Sequence, residues 1–156
     1  MNPVPLLRAF CAAVEAGDGA AFARLFTEDA LYHDVFYGAF AGREQIAAML
    51  EQRFHRDAEA FRWDMFDPVC DGRTLYARYL FSFRSRLPGA EGRRAMFEGV
   101  SIITLHDGTI AHYREVADTT PGLADLGFPP ERIARRAVRD SAALRARPEA
   151  ERHRNP

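Results

Sequence analysis

Lysine is absent from this chain of 156 residues, and all 21 of its basic side chains are Arg. The absence excludes Schiff-base chemistry on a lysine and the lysine of a Walker-type phosphate loop. A GC-rich coding sequence, rich in Ala and Arg codons, produces the same bias without any functional reason. Cysteine is scarce: Cys11 and Cys70 have neither metal nor redox spacing and read as buried reduced thiols, with a disulfide as the alternative. No window is apolar for the length that a membrane span needs. The opening stretch, MNPVPLLRAFCAAVEAGD, has no basic region ahead of its apolar residues. Neither a signal peptide nor an anchor is therefore expected, and the chain reads as soluble and cytoplasmic, with no membrane partner.

Charge of one sign is also missing. With 22 acidic residues the net charge is −1, which removes the case for a generally basic nucleic-acid binder. The charge is unevenly placed, however. Residues 131–156 carry eight Arg against four acids, a balance of +4, which leaves the first 130 residues at −5. Hydrophobic residues at 47% and charged residues at 28% describe one ordinary globular domain.

Leu6, Phe10 and Val14 recur at helical spacing up to Gly17, and Asp18 is placed to cap a second short helix carrying Phe22, Leu25 and Phe26. Residues 30–34 read as a short strand that runs into a glycine-containing loop, 37–42. A third helix follows, with Ile46, Met49, Leu50 and Phe54 on one face. From residue 61 aromatic and β-branched residues dominate, in segments 61–70, 73–87, 94–105 and 109–116. Asp71-Gly72, residues 88–92 and Asp107-Gly108 separate them as hairpin connections. Helices followed by an antiparallel meander predict an α+β layout, one curved sheet wrapped around the N-terminal helices. The expected division is a pocket domain over 1–118 and an Arg-rich helical extension over 119–156. Ile133, Ala137 and Leu144 mark the extension's helix, expected to pack on its own body or on a dimer mate; an anionic partner is the other reading.

The segments Glu28-Asp29-Ala30-Leu31-Tyr32-His33-Asp34 and Gly42-Arg43-Glu44-Gln45-Ile46-Ala47-Ala48 resemble the ketosteroid isomerase and SnoaL-type polyketide cyclase superfamily. This is the nuclear-transport-factor-2-like fold, which also holds limonene-epoxide hydrolase. Asp107-Gly108-Thr109-Ile110 and Tyr113-Arg114-Glu115 carry the likeness further, over roughly residues 5–118. The resemblance implies a cone-shaped, cystatin-like α+β roll around an apolar pocket, without a cofactor, and often dimeric through the outer sheet face. It fixes a fold better than a reaction.

By that resemblance Asp34 falls where the isomerase places its general base, and burial in an apolar pocket would raise its pKa. An Asp hydrogen-bonded to the turn that follows its strand is the plain alternative. Phe10 falls on the oxyanion Tyr and Ser101 near the second oxyanion donor, so a steroid isomerase is disfavoured. Against the epoxide hydrolase, Arg78 and Glu115 match members of its charged triad and Tyr32 and Asp34 its water-positioning pair, while Leu80 replaces the remaining acid. Asp34, Arg78 and Glu115 thus form the expected catalytic set, with Phe10, Tyr32, Trp63, Leu80, Ser101 and Tyr113 against the substrate. A structural ion pair between Arg78 and Glu115 is the competing reading. Strand alternation with Arg78 inward puts Tyr76, Leu80 and Ser82 inside and Tyr79, Phe81 and Phe83 outside, the last three as a homodimer surface.

Trp63 is either a flat cavity wall or core packing. His33 is expected to point away from the pocket and His55 to cap a helix end. No two histidines have metal-ligand spacing, so no metal is expected. Two functions follow: cofactor-free acid-base catalysis on a small, mostly apolar or ring-containing molecule with Asp34 as base, or non-catalytic binding of such a molecule.

Overall fold

A computed structural model of the chain describes residues 2–154. Helix α1 (Val4–Ala16) buries Leu7, Phe10, Ala13 and Val14, the single face that its apolar spacing defines. It ends at Gly17, where φ is 69°, a left-handed conformation that costs glycine little. A Cβ there would also come within 2.9 Å of the His55 ring. That ring donates from Nε2 to the Val14 carbonyl at 2.8 Å, so His55 caps the end of α1 and not of its own helix. In α2 (Gly19–Ala23), Asp18 Oδ1 accepts from the Ala21 N–H at 2.7 Å as the cap.

Six strands follow: β1 (Phe26–Asp34), β2 (Gly38–Ala41), β3 (Ala58–Cys70), β4 (Thr74–Ser85), β5 (Arg94–His106) and β6 (Thr109–Asp118). They form one sheet in the order β2-β1-β6-β5-β4-β3. Every pairing is antiparallel except β1 with β6, which is parallel. The segment expected as a loop after Asp34 is largely β2, with Asp34 opposite Gly38 and Leu31 opposite Ala41. Between β2 and β3 run α3 (Gly42–Met49), a π-helical turn (Leu50–Phe54) and the short α4 (His55–Asp57).

Curvature comes from β3. Its register against β4 slips by one residue twice, between Glu59 and Arg62 and between Phe66 and Val69. Ala60 and Asp67, at φ 51° and 52°, sit at those slips. Each bulge bends the strand and adds twist, so the sheet curls over α1 and α3.

The faces of β4 are the reverse of the expected ones. Leu75, Ala77, Tyr79 and Phe81 are buried and Phe83 packs against the core, while Tyr76 and Leu80 are 46% and 36% exposed. A strand's faces are set by which alternate set is the more apolar, and the set containing three aromatics wins over the one containing Arg78. Tyr79, Phe81 and Phe83 are therefore not an outer dimer surface. The outer face instead carries Tyr76, Leu80, Met96, Val100 and Val116.

The chain closes with α5 (Thr120–Asp125) against β5, α6 (Pro130–Ala146), a 3-10 turn (Pro148–Ala150) and α7 (Glu151–Arg154). No residue of α6 is buried, and its Val138 and Leu144 are 71% and 55% exposed, so the expected packing of Leu144 on the body does not occur. Cys11 and Cys70 are free thiols. Among the described residues no helix is long and apolar enough to cross a membrane.

Candidate functional site

Two chambers lie inside the curl of the sheet. The outer one, about 640 Å³, is walled by Phe54, Phe61, Phe81, Phe83, Leu123 and Phe128 and rimmed by arginines of α6. The inner one, about 20 Å³, shares Phe36, Phe54 and Phe81 with it and adds Asp34, Trp63, Tyr79, Phe97 and Glu115. That volume is room for a single water. Trp63 Nε1 is buried with no hydrogen-bond partner.

The two carboxylates are brought together by the one parallel pairing of the sheet. Tyr32 on β1 stands opposite Tyr113 on β6, their rings stacked at 4.5 Å. Asp34 and Glu115 each lie two residues further along, so both project on the same face as the tyrosines, from neighbouring strands. Asp34 Oδ2 accepts from the Phe36 and Tyr37 N–H groups at 2.8 and 2.9 Å, which holds the turn into β2. Oδ1 makes no hydrogen bond to the described residues. Glu115 Oε2 accepts from Tyr79 at 2.6 Å and from Tyr113 at 3.1 Å. The Tyr113 hydroxyl, donating to Glu115, is free to accept from Ser101 Oγ at 3.1 Å.

Both acids are held above the ordinary carboxylate range. Burial pushes Asp34 up to about 6, against the opposing effect of its two backbone N–H bonds and of Arg136. Burial, and then the charge of Asp34, push Glu115 up to about 7 despite its tyrosine donors. Burial in an apolar cavity dominates in each case because few dipoles replace the lost water. Tyr79, Tyr32 and Tyr113 are raised for the same reason and stay protonated; Tyr79 and Tyr113 donate to Glu115, while the Tyr32 hydroxyl is buried without a partner among the described residues. Near neutrality, then, the pair can hold one proton between two carboxylates, the division that lets one act as base and the other as acid.

A curled six-stranded sheet over helices has structural counterparts, and the sequence itself matches one family: the SnoaL-like domain, over residues 7–113. The chain belongs to this family. A Catenulispora acidiphila protein of ketosteroid isomerase-like fold, solved with trimethylamine, superposes on the SnoaL-like chain with a TM-score of 0.71 at 20% identity, covering 80% of this chain and 93% of its own. An LEH-like epoxide hydrolase from M. tuberculosis gives 0.64 at 19% identity, covering 79% and 87%. A proposed polyketide cyclase from Pseudomonas putida gives 0.64 at 24%, covering 80% and 98%. These likenesses establish the cone-shaped nuclear-transport-factor-2-like fold. Among curated proteins no sequence match reaches significance.

The expected site residues of the SnoaL-like chain divide into three groups. Asp34, Glu115 and Trp63 line the inner chamber together. Phe10, Tyr32, Ser101 and Tyr113 are buried directly behind it, Phe10 stacking on Tyr113 at 5.2 Å and meeting Trp63 edge-on at 5.1 Å. Arg78 and Leu80 lie on the outer face of the sheet, outside the cavity. Arg78 pairs with Glu98 at 3.0 Å and Asp67 at 3.5 Å and lies over the Phe66 ring, so it makes no pair with Glu115. The reason is the single-residue offset between the two faces of β4 described above.

Two contributors went unread. Tyr79 occupies the inward position assigned to Arg78, and Gly99, opposite it on β5, leaves room for its hydroxyl. A Cβ at Gly99 would stand 2.5 Å from Tyr79 Oη and 2.8 Å from the Val116 carbonyl. Gly99→Ala is expected to push Tyr79 off Glu115 and cost about 1–3 kcal/mol of stability. Thermal melting and a carbon-13 titration of the Glu115 carboxyl, moved further upward, check it. The cation affecting Asp34 is also elsewhere than expected. It is Arg136 on α6, which donates to the Val35 carbonyl and lies over Phe36.

Proposed function

We propose that this SnoaL-like protein performs cofactor-free acid-base catalysis on a small, mostly apolar, ring-containing molecule. Asp34 is the base that takes a proton from carbon, and Glu115, protonated and positioned by Tyr79 and Tyr113, donates to the oxygen on which negative charge develops. The observation that carries the reading is the pair of raised carboxylates, from neighbouring strands, in a chamber otherwise lined by aromatic rings and Val35. The water-sized inner chamber is where the reacting atoms would come, with the ring body in the outer one and the shared Phe36, Phe54 and Phe81 giving way between them.

The outer face of the sheet, with Tyr76, Leu80, Met96, Val100 and Val116, supports a homodimer of the kind common in this fold. Non-catalytic binding is the second reading, favoured by one observation: Asp34 already holds a turn through Oδ2. Proton exchange at the α-carbon of 2-tetralone in D2O, followed by NMR, separates the two. Acceleration that depends on Asp34 supports catalysis. Saturable binding without exchange supports a binding module.

A further inference from the structure

The C-terminal helix α6 inverts the usual amphipathic pattern. Arg132, Arg135, Arg136 and Arg139, at spacing i, i+3, i+4 and i+7, face the outer chamber, while Val138 and Leu144 face away. Long arginine stems can cover apolar wall, and here Arg132 lies 3.8 Å over the Phe128 ring. Their head groups are another matter. Arg136 pairs with Asp140 at 2.9 Å; among the described residues Arg132, Arg135 and Arg139 have no acidic partner within 4.0 Å. The acid in the outer lining, Asp57, is already engaged by Arg56 at 2.6 Å and by the Tyr37 hydroxyl at 2.7 Å. The chamber thus has unmatched positive charge at its rim, aromatic walls in the middle and two carboxylates at its deep end.

We propose that the outer chamber selects amphipathic anions: an apolar ring body carrying one carboxylate- or sulfonate-like group, which is seated against the α6 arginines. Guanidinium groups bind such oxyanions in a forked, two-bond geometry. The acids at the other end repel an anion there, so the charged end stays at the rim and the neutral end goes inward. This deepens the catalytic reading by naming its substrate class, and rests on it only for what happens at the inward end. The family match ends at residue 113, so the arginine row lies outside the matched region.

The test uses two dyes with one ring system, 8-anilinonaphthalene-1-sulfonate and its uncharged counterpart N-phenyl-1-naphthylamine, binding to the full chain. Replacing Arg135 and Arg139 by Gln should weaken the sulfonate dye by roughly tenfold or more and the neutral dye by less than about twofold. Rising salt should weaken only the sulfonate dye in the unaltered chain. The Arg135→Lys and Arg139→Lys pair, which keeps charge and covers any folding loss in the Gln pair, should restore most of the affinity. Equal loss of both dyes, or no loss of either, overturns the proposal and leaves the arginines as wall. Failure of the catalytic reading is seen separately: Asp34→Asn would leave exchange unchanged, whatever the dyes do.

Discussion

Asp34→Asn is expected to lower α-proton exchange on 2-tetralone by at least about 100-fold at pH 6.5, the scale of a lost general base. Asn is the informative change because its side-chain oxygen can still accept from the Phe36 and Tyr37 N–H groups, which Asp34 serves through one oxygen. The turn into β2 survives while the ionisable group goes. Ala would remove both and confuse a lost base with a displaced strand. The pH profile carries the rest. Exchange should rise as Asp34 ionises, near 6, and fall as Glu115 loses its proton, near 7, a narrow bell belonging to the pair as a whole. Glu115→Gln, a mimic of the protonated acid, should remove the falling limb. Full exchange in Asp34→Asn rejects the base, and a profile that keeps rising past pH 8 rejects a protonated Glu115.

The second large effect is on stability. A carboxyl raised in the folded state binds its proton more tightly there than in the unfolded chain. Its contribution is fully present below the unfolded value and lost as pH rises through the folded one. For Glu115 that window runs from 4.5 to about 7, and for Asp34 from 3.8 to about 6. The chain should therefore lose stability from pH 5 to pH 8 at these two positions. Glu115→Gln should raise the melting temperature at pH 8 by roughly 3–6 °C and nearly nothing at pH 4.5. His112, lowered by burial and then by His33 and Arg114, acts in the opposite sense, gaining stability as pH rises through the imidazole range. It is unchanged in the variant, so the difference between the two melting curves isolates Glu115. Equal melting at pH 8 would mean that the ionised carboxylate is well solvated. A variant that is more stable at pH 8 yet still exchanges protons would show that the ionised carboxylate costs stability without serving the reaction there.

The fold was readable because its signals are local. Gly17, Asp18, the Asp71-Gly72 and Asp107-Gly108 turns and the aromatic segments between them each specify a helix end or a hairpin by their own chemistry. That Asp34 and Glu115 line one cavity was readable because the resemblance reached both strands that carry them. The placement of Arg78 was not, since the likeness alone set the phase of the two-residue period in β4, whose register against β5 is unbroken, and a phase error of one exchanges the faces. The alternation of Leu75, Ala77, Tyr79, Phe81 and Phe83 was the available signal, and it outweighed the likeness that pointed to Arg78. Arg136 was beyond reach altogether, because no pattern in a run of arginines says which turn of a helix meets a cavity 100 residues earlier in the chain. The same holds for His33 and His112, 79 residues apart in sequence and 3.0 Å apart between ring nitrogens in the fold.

That last separation spans the parallel contact between β1 and β6, and it sets an order of events during folding. Strands β3 to β6 are joined in series by short turns, so they can zip together from near neighbours. The β1–β6 pairing has to close the largest loop in the sheet, and loop-closure entropy makes such contacts late. Asp34 and Glu115 meet only at that step. An intermediate with its meander complete but β1 undocked would therefore keep both acids in water with unperturbed protons, so their raised proton affinity arises only with the final closure of the cone.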